Sequence, residues 1–430
     1  MNISKTSFQK ADAEYYCINH PSGLTIYFYP TPAKNKSAAM IATKFGSINR
    51  EFKKYNSNEW MTVPDGIAHF LEHKLFEGKN GNAFDYYAKT GAKANAYTSN
   101  DRTAYYFVTS DRFYESLEVL LSFVKHPYFT PENVEKEKGI IGQEIKMYDD
   151  EPSWQGYISL LQSLYVKHPV RIDIAGSKES ISEITDEILY DCYNVFYNNA
   201  NLCLCIAGDL DLDKILEVCD KQLPFEQHDA ILQNIPEEPK KIVSQYAEKS
   251  MDVSKTQFYI GIKDNYCAKT KDWAKYELCN KILISILFGE SSQFYKKLYQ
   301  NAIINPEFAV EYECGIGYGF LLFAGESEQP ESVRNAISEL CKNFCKDMIS
   351  EQDFLRVRNA IYGDLIRALD GAESIVNHFV SNHMHGGDIF SQLRAISDIT
   401  LDDVVAVGKK VLKADVMSMS VILPKKKVGA

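Results

Sequence analysis

The feature that most constrains the fold of this chain is an internal repeat. Ile181-Ser182-Glu183-Ile184-Thr185-Asp186-Glu187-Ile188 returns as Ile396-Ser397-Asp398-Ile399-Thr400-Leu401-Asp402-Asp403. In each copy a Thr precedes an acidic first turn, the signature of a capped helix start. Each predicted helix leads to an apolar strand, 201–208 in the first half and 417–423 in the second. A second pair lies upstream: Thr130-Pro131-Glu132-Asn133-Val134 and Ser350-Glu351-Gln352-Asp353-Phe354 each open a long helix. The repeating unit is far longer than the roughly 20–50 residues of solenoid repeats, so the pattern is domain duplication. We expect an α+β fold of two duplicated domains, each a mainly antiparallel sheet with helices packed on one face. The predicted domains are 1–223 and 251–430. The linker is placed at 224–250, where Pro224, Pro236 and Pro239 stand among mixed charges with little periodicity.

The chain has 430 residues, enough for two domains with real cores. Its formal net charge of -11 argues against nucleic-acid binding, because phosphate contacts need clustered Lys and Arg. The basic run Lys425-Lys426-Lys427 is too short to change that. No apolar run reaches the ~20 residues a bilayer span needs, so no membrane association is expected. The polar N-terminus lacks the apolar core of a signal peptide. We expect a cytoplasmic protein. Ten cysteines fit that compartment as buried free thiols, with Cys279, Cys341 and Cys345 placed on helices. Cys341 and Cys345 share the i, i+4 spacing of a metal pair but have no companion pair, so no metal is assigned to them.

Chemistry is concentrated in Gly66-Ile67-Ala68-His69-Phe70-Leu71-Glu72-His73. On a helix, positions i, i+3 and i+4 share one face. His69 and His73 can therefore grip one metal ion from adjacent turns, with Glu72 beside them to take a proton from a water. Histidine is scarce, nine in 430, and chance produces this pattern on the order of once per hundred such chains. A pair of core histidines is therefore the weaker reading. Zinc needs a third protein ligand and an open position. Glu137 and Glu144 stand seven residues apart on an apolar predicted helix and face the same way. One carboxylate can ligate the metal, and the other can hold a ligand imidazole.

These residues resemble the pitrilysin/insulinase family of inverted-motif zinc peptidases, which includes the mitochondrial processing peptidases. That family places a Glu some seventy to eighty residues after its His-x-x-Glu-His; Glu144 lies 71 residues after His73. The similarity extends through Lys93-Ala94-Asn95-Ala96-Tyr97-Thr98, His126-Pro127-Tyr128-Phe129 and His168 to Gly176. It covers the whole chain and is nearest to half-length bacterial members. The resemblance implies zinc held by His69, His73 and Glu144, with Glu72 as general base and Glu137 steadying a ligand imidazole. It implies that Asn95, Ala96 and Tyr97 form an edge strand pairing with an extended peptide substrate. It also implies two such chains, or one double-length chain, closed around a chamber. The family's oxyanion-stabilising Arg and Tyr have no counterpart, since Tyr299 and Pro306 occupy the matching stretch. The expected function is thus a zinc metalloendopeptidase acting on unstructured segments. The chain would be the zinc-bearing subunit of a heterodimer whose partner supplies Arg and Tyr; a homodimer is the other arrangement. The alternative is a non-catalytic structural or binding subunit of the same fold.

Two weaker patterns receive bland readings. Gly315-Ile316-Gly317-Tyr318-Gly319 runs into an apolar strand, whereas a dinucleotide fingerprint opens a helix. His383 and His385 are read as surface histidines of a loop.

Overall fold

The computed structural model describes residues 1–32, 34–55, 57–225 and 230–425. Part of the predicted linker and Lys426 and Lys427 of the basic run lie outside the described residues. Two compact units form. The first comprises Met1–Gln143, Asp173–Ile235 and Ile366–Ser391; the second comprises Glu144–Ile172, Pro236–Leu365 and the residues from Gln392. The division passes through one continuous helix, Pro131–Asp149.

The first unit is built on a seven-stranded sheet. Its spatial order is Asn2–Phe8, Ala13–Asn19, Thr25–Pro30, Leu202–Gly208, Ser37–Thr43, Thr103–Thr109 and Lys93–Thr98. Pairing is antiparallel except between Leu202–Gly208 and Thr25–Pro30. The register sorts side chains into two faces, because successive residues alternate across a strand. Tyr105, Ile41, Leu204 and Ile26 form one row. On that face Tyr105 and Phe107 meet Phe123 and Phe113 of the helix Phe113–Lys125. Tyr106, Met40, Cys205 and Tyr27 form the next row on the opposite face. There Tyr27 stacks on Phe379 of the helix Ala372–Met384. The helix that closes this face is thus contributed by the second half of the sequence.

The second unit repeats the plan. Its five strands run Tyr246–Met251, Met417–Pro424, Gln257–Lys263, Tyr318–Glu326 and Ala309–Gly315. Again one pair is parallel, Tyr246–Met251 with Met417–Pro424. Phe258, Ile260 and Ile262 face the apolar helix Trp273–Phe288 within one large core. Tyr259 and Gly261 face the helix Pro152–Leu164, which comes from the first half. A Cβ at Gly261 would sit 2.6 Å from Leu164 Cδ1, so glycine lets this helix approach the sheet. Both repeat helices begin at their predicted caps. Thr185 accepts from the Ile188 amide, and Thr400 forms a capping box with Asp403.

Two local expectations are corrected. The helix Pro330–Asn343 ends before Cys345, so Cys341 and Cys345 do not share a helix; Cys345 is exposed while Cys341 is buried. His383 belongs to the helix Ala372–Met384, not to a loop, and its Nδ1 lies 3.0 Å from the Tyr27 hydroxyl. Burial, with Lys44 nearby, pushes its imidazole down to about 4. The Asn2–Phe8 and Ala13–Asn19 strands arise from the polar N-terminus, where too few apolar residues alternate to announce a sheet edge. Gly317 does sit in a turn between two strands, at φ 84°.

Candidate metal centre

The motif helix spans Ile67–Leu75. Ile67, Phe70, Leu71 and Leu75 bury its apolar side, which fixes its rotation and turns the histidine positions away from the core. Its N-terminus is set by two glycines. Gly66 has φ 89°, and a Cβ there would lie 2.4 Å from the Ala175 carbonyl oxygen. Gly176 has φ 75°, and a Cβ there would lie 2.4 Å from the Asp65 carbonyl oxygen. The two backbones therefore touch in a way only glycine permits. Ser180 Oγ adds a hydrogen bond to the same Asp65 carbonyl at 2.8 Å.

Opposite this helix runs Pro131–Asp149, whose 137 and 144 positions share a face. One ligand atom from each of His69, His73 and Glu144 falls within 4.8 Å of the others. The two imidazoles are 4.6 Å apart at their centroids and inclined by 64°. Burial, with His73 beside it, pushes His69 down to about 4, so this imidazole is neutral at ordinary pH as a ligand must be. His73 Nδ1 lies 3.2 Å from Glu137 Oε1. A carboxylate there accepts the Nδ1–H and leaves the Nε2 lone pair for a metal. Burial alone would raise the Glu137 carboxyl. The His73 hydrogen bond and the Lys74 charge outweigh burial and hold the carboxyl below its usual range. Two imidazoles and a carboxylate form a donor set that suits zinc and leaves a coordination position for water.

Glu72 is buried, and its Oε2 accepts from Thr98 Oγ1 at 2.6 Å. Thr98 ends the edge strand Lys93–Thr98. Alternation splits that strand. Ala96 and Thr98 lie on the face of the motif helix, while Asn95 and Tyr97 lie on the face of the helix Ala372–Met384. The predicted Asn95, Ala96 and Tyr97 are thus on a sheet edge, with only Ala96 directed to the metal-centre face.

Sequence reasoning missed two residues. Lys74 is fully buried, pairs with Glu77, and lies 3.6 Å from Glu137 Oε2. A lysine one position past a ligand reads as solvent-facing, and nothing local signals otherwise. Thr98 closes the segment Lys93–Thr98, where strand alternation is the only sequence signal of its role. Tyr299 lies exposed on the helix Gln293–Gln300, stacked on Tyr295, and Pro306 precedes the strand Ala309–Gly315.

Comparison with known proteins bears on this geometry. Residues 33–177 match the model for insulinase, peptidase family M16, and residues 183–361 match that for the peptidase M16 inactive domain. A Bacillus subtilis protein named as an uncharacterized zinc protease, YmfH, is 36% identical over 98% of this chain and 100% of its own length. The chain belongs to the M16 peptidase family. A Rickettsia felis relative named as an uncharacterized zinc protease is 23% identical over 91% of this M16 chain and 94% of its own. The crystal structure of an M16-like peptidase from Alicyclobacillus acidocaldarius has a TM-score of 0.90 at 33% identity, covering 96% of this chain and 99% of that one. A Helicobacter pylori protease structure shares the fold with a TM-score of 0.81 at 20% identity, over 96% and 100%. The second family model falls largely on the half without the His-x-x-Glu-His motif.

Proposed function

We propose that the chain is a zinc metalloendopeptidase that cleaves extended or unstructured peptides. The observation that carries this reading is the convergence of His69, His73 and Glu144 within 4.8 Å, with buried Glu72 on the same helix as the two histidines. Zinc bound by these three side chains supplies Lewis acidity, lowering the pKa of a water and polarising a scissile carbonyl. Glu72 accepts the water's proton and returns it to the leaving amine. Glu137 holds His73 in the Nδ1–H tautomer. The open edge of Lys93–Thr98 receives the peptide backbone as an added strand, which accepts many sequences.

The oxyanion groups come from elsewhere in this reading. Tyr299 carries no fixed cation and Pro306 no hydroxyl, so a homologous partner subunit supplies Arg and Tyr. Among the described residues no helix is long and apolar enough to cross a membrane; we place the reaction in the cytoplasm. Metal analysis is the first test. Wild type should carry about one zinc per chain, and Glu144→Ala should lose most of it. Glu72→Gln should retain zinc yet fail to cleave an unstructured peptide in the presence of the partner. Wild type that takes up no zinc would overturn the assignment, as would a Glu72→Gln variant with full turnover.

A further inference from the structure

The carboxylate of Glu72 is held from the edge strand of the sheet. Its Oε2 accepts from Thr98 Oγ1 at 2.6 Å. Thr98 Oγ1 lies 3.3 Å from Thr103 Oγ1, and Thr103 Oγ1 lies 2.8 Å from the Phe45 carbonyl. Counting protons fixes the direction of this chain. The Phe45 carbonyl can only accept, so Thr103 spends its single proton there. Thr98 therefore directs its proton to one of two acceptors, the Glu72 oxygen or the more distant Thr103 oxygen. A short, charge-assisted bond to an ionised carboxylate is the stronger choice. The hydroxyl thus sets the rotation of the Glu72 carboxylate.

The position of Thr98 in the fold adds a second consequence. It ends the same edge strand as Asn95, Ala96 and Tyr97, and it pairs with Thr103 across the hairpin. A peptide that adds to this edge would order the strand from which Glu72 is held. Accordingly, we propose that Thr98 is the positioning residue of the general base, linking strand addition by the peptide to the orientation of Glu72. This rests on the peptidase reading above.

The test compares zinc-loaded wild type, Thr98→Val and Thr98→Ser. Valine is nearly isosteric but has no hydroxyl; serine keeps it. Crystal structures of all three report the Glu72 carboxylate directly, and peptide kinetics with the partner subunit report its use. Thr98→Val should lose the fixed Glu72 orientation and lower kcat about 10- to 100-fold, the scale of one hydrogen bond to a charged group. KM and zinc content should stay near wild type. Thr98→Ser should restore both orientation and kcat. A Thr98→Val crystal structure with Glu72 in its wild-type orientation would overturn the proposal, and so would unchanged kcat in that variant. If wild type cleaves nothing while Thr98→Val still frees Glu72, the peptidase reading fails and the positioning role survives.

Discussion

Replacing Lys74 by Met should destabilise the metal-binding unit more than any surface ion pair could. Lys74 is completely buried within an apolar helix. Its ammonium pairs with Glu77 and stands 3.6 Å from Glu137 Oε2, while Glu137 Oε1 stays near His73. Removing one partner of a buried pair leaves the other charge uncompensated, at about 3–5 kcal/mol. Two features place this site at the lower end. Glu77 keeps 35% of its side chain in solvent, where water can replace the lysine. Glu137 retains the His73 hydrogen bond. The expected loss is therefore about 3 kcal/mol, or roughly a hundredfold faster exchange of the protected amides of Ile67–Leu75. Amide exchange on chelator-treated protein isolates this unit from the rest of the chain. Glu77→Gln is the comparison and should cost less, because the Gln carbonyl can still accept from Lys74 and Glu137 stays 3.6 Å away. A Lys74→Met protein with exchange within about fivefold of wild type would refute the reasoning.

Gly66→Ala should cost at least about 2 kcal/mol, because it combines left-handed strain at φ 89° with a 2.4 Å approach to the Ala175 carbonyl. Gly91→Ala is the comparison: φ is 76° but nothing lies within 4 Å of the added carbon, so only the strain of about 1 kcal/mol remains. Equal losses in urea denaturation would show that the Ala175 contact does not matter. His168 is buried, with Nε2 against the Ile316 carbonyl and Nδ1 accepting from the Val170 amide. Burial pushes its imidazole down to about 4 from 6.5. Between those values the unfolded chain binds the extra proton, so stability is full above about pH 6.5 and falls as the pH drops toward 4. His168 contributes on the order of 3 kcal/mol to that fall. His168→Gln should flatten the slope of stability against pH by that share; identical slopes for wild type and variant would refute it.

Much of this architecture is written locally, and those parts are legible. Thr185 and Thr400 cap their helices through amides three residues ahead, an interaction contained in a few positions. The strands Ser37–Thr43 and Leu202–Gly208 are apolar on both faces and signal themselves by composition. Glu137 and Glu144 share a helix face by spacing alone. The structure keeps Glu137 at His73 and Glu144 beside both imidazoles. What stayed hidden is non-local. The burial of Lys74 is completed by Glu137, 63 positions away in sequence. The docking of Ala372–Met384 on the first sheet and of Pro152–Leu164 on the second depends on which sheet face remains uncovered. Gly156 and Gly261 are the trace of the second docking, yet a glycine in a helix and another in a strand do not announce that they meet the same interface.

The duplication shows what the metal centre demands of its half. The motif helix lies between the strands Ser37–Thr43 and Lys93–Thr98; in the second unit Trp273–Phe288 lies between the corresponding Gln257–Lys263 and Ala309–Gly315. That helix buries Leu278, Ile282, Leu283, Ile286 and Leu287 and carries no histidine. Matching Thr130 with Ser350 sets Glu137 against Val357, and Val357 is packed in the second core. A buried carboxylate and a buried lysine are costly to desolvate, and well-packed apolar side chains commonly replace such pairs without loss of stability. At the corresponding helices the second unit has the apolar solution, and its own buried pair, Lys263 with Glu238, lies elsewhere. The first unit retains Glu72, Lys74 and Glu137 in buried positions, where packing alone would favour Leu or Val. Gathered around three potential ligands, these costly groups accord with the metal chemistry proposed for the site.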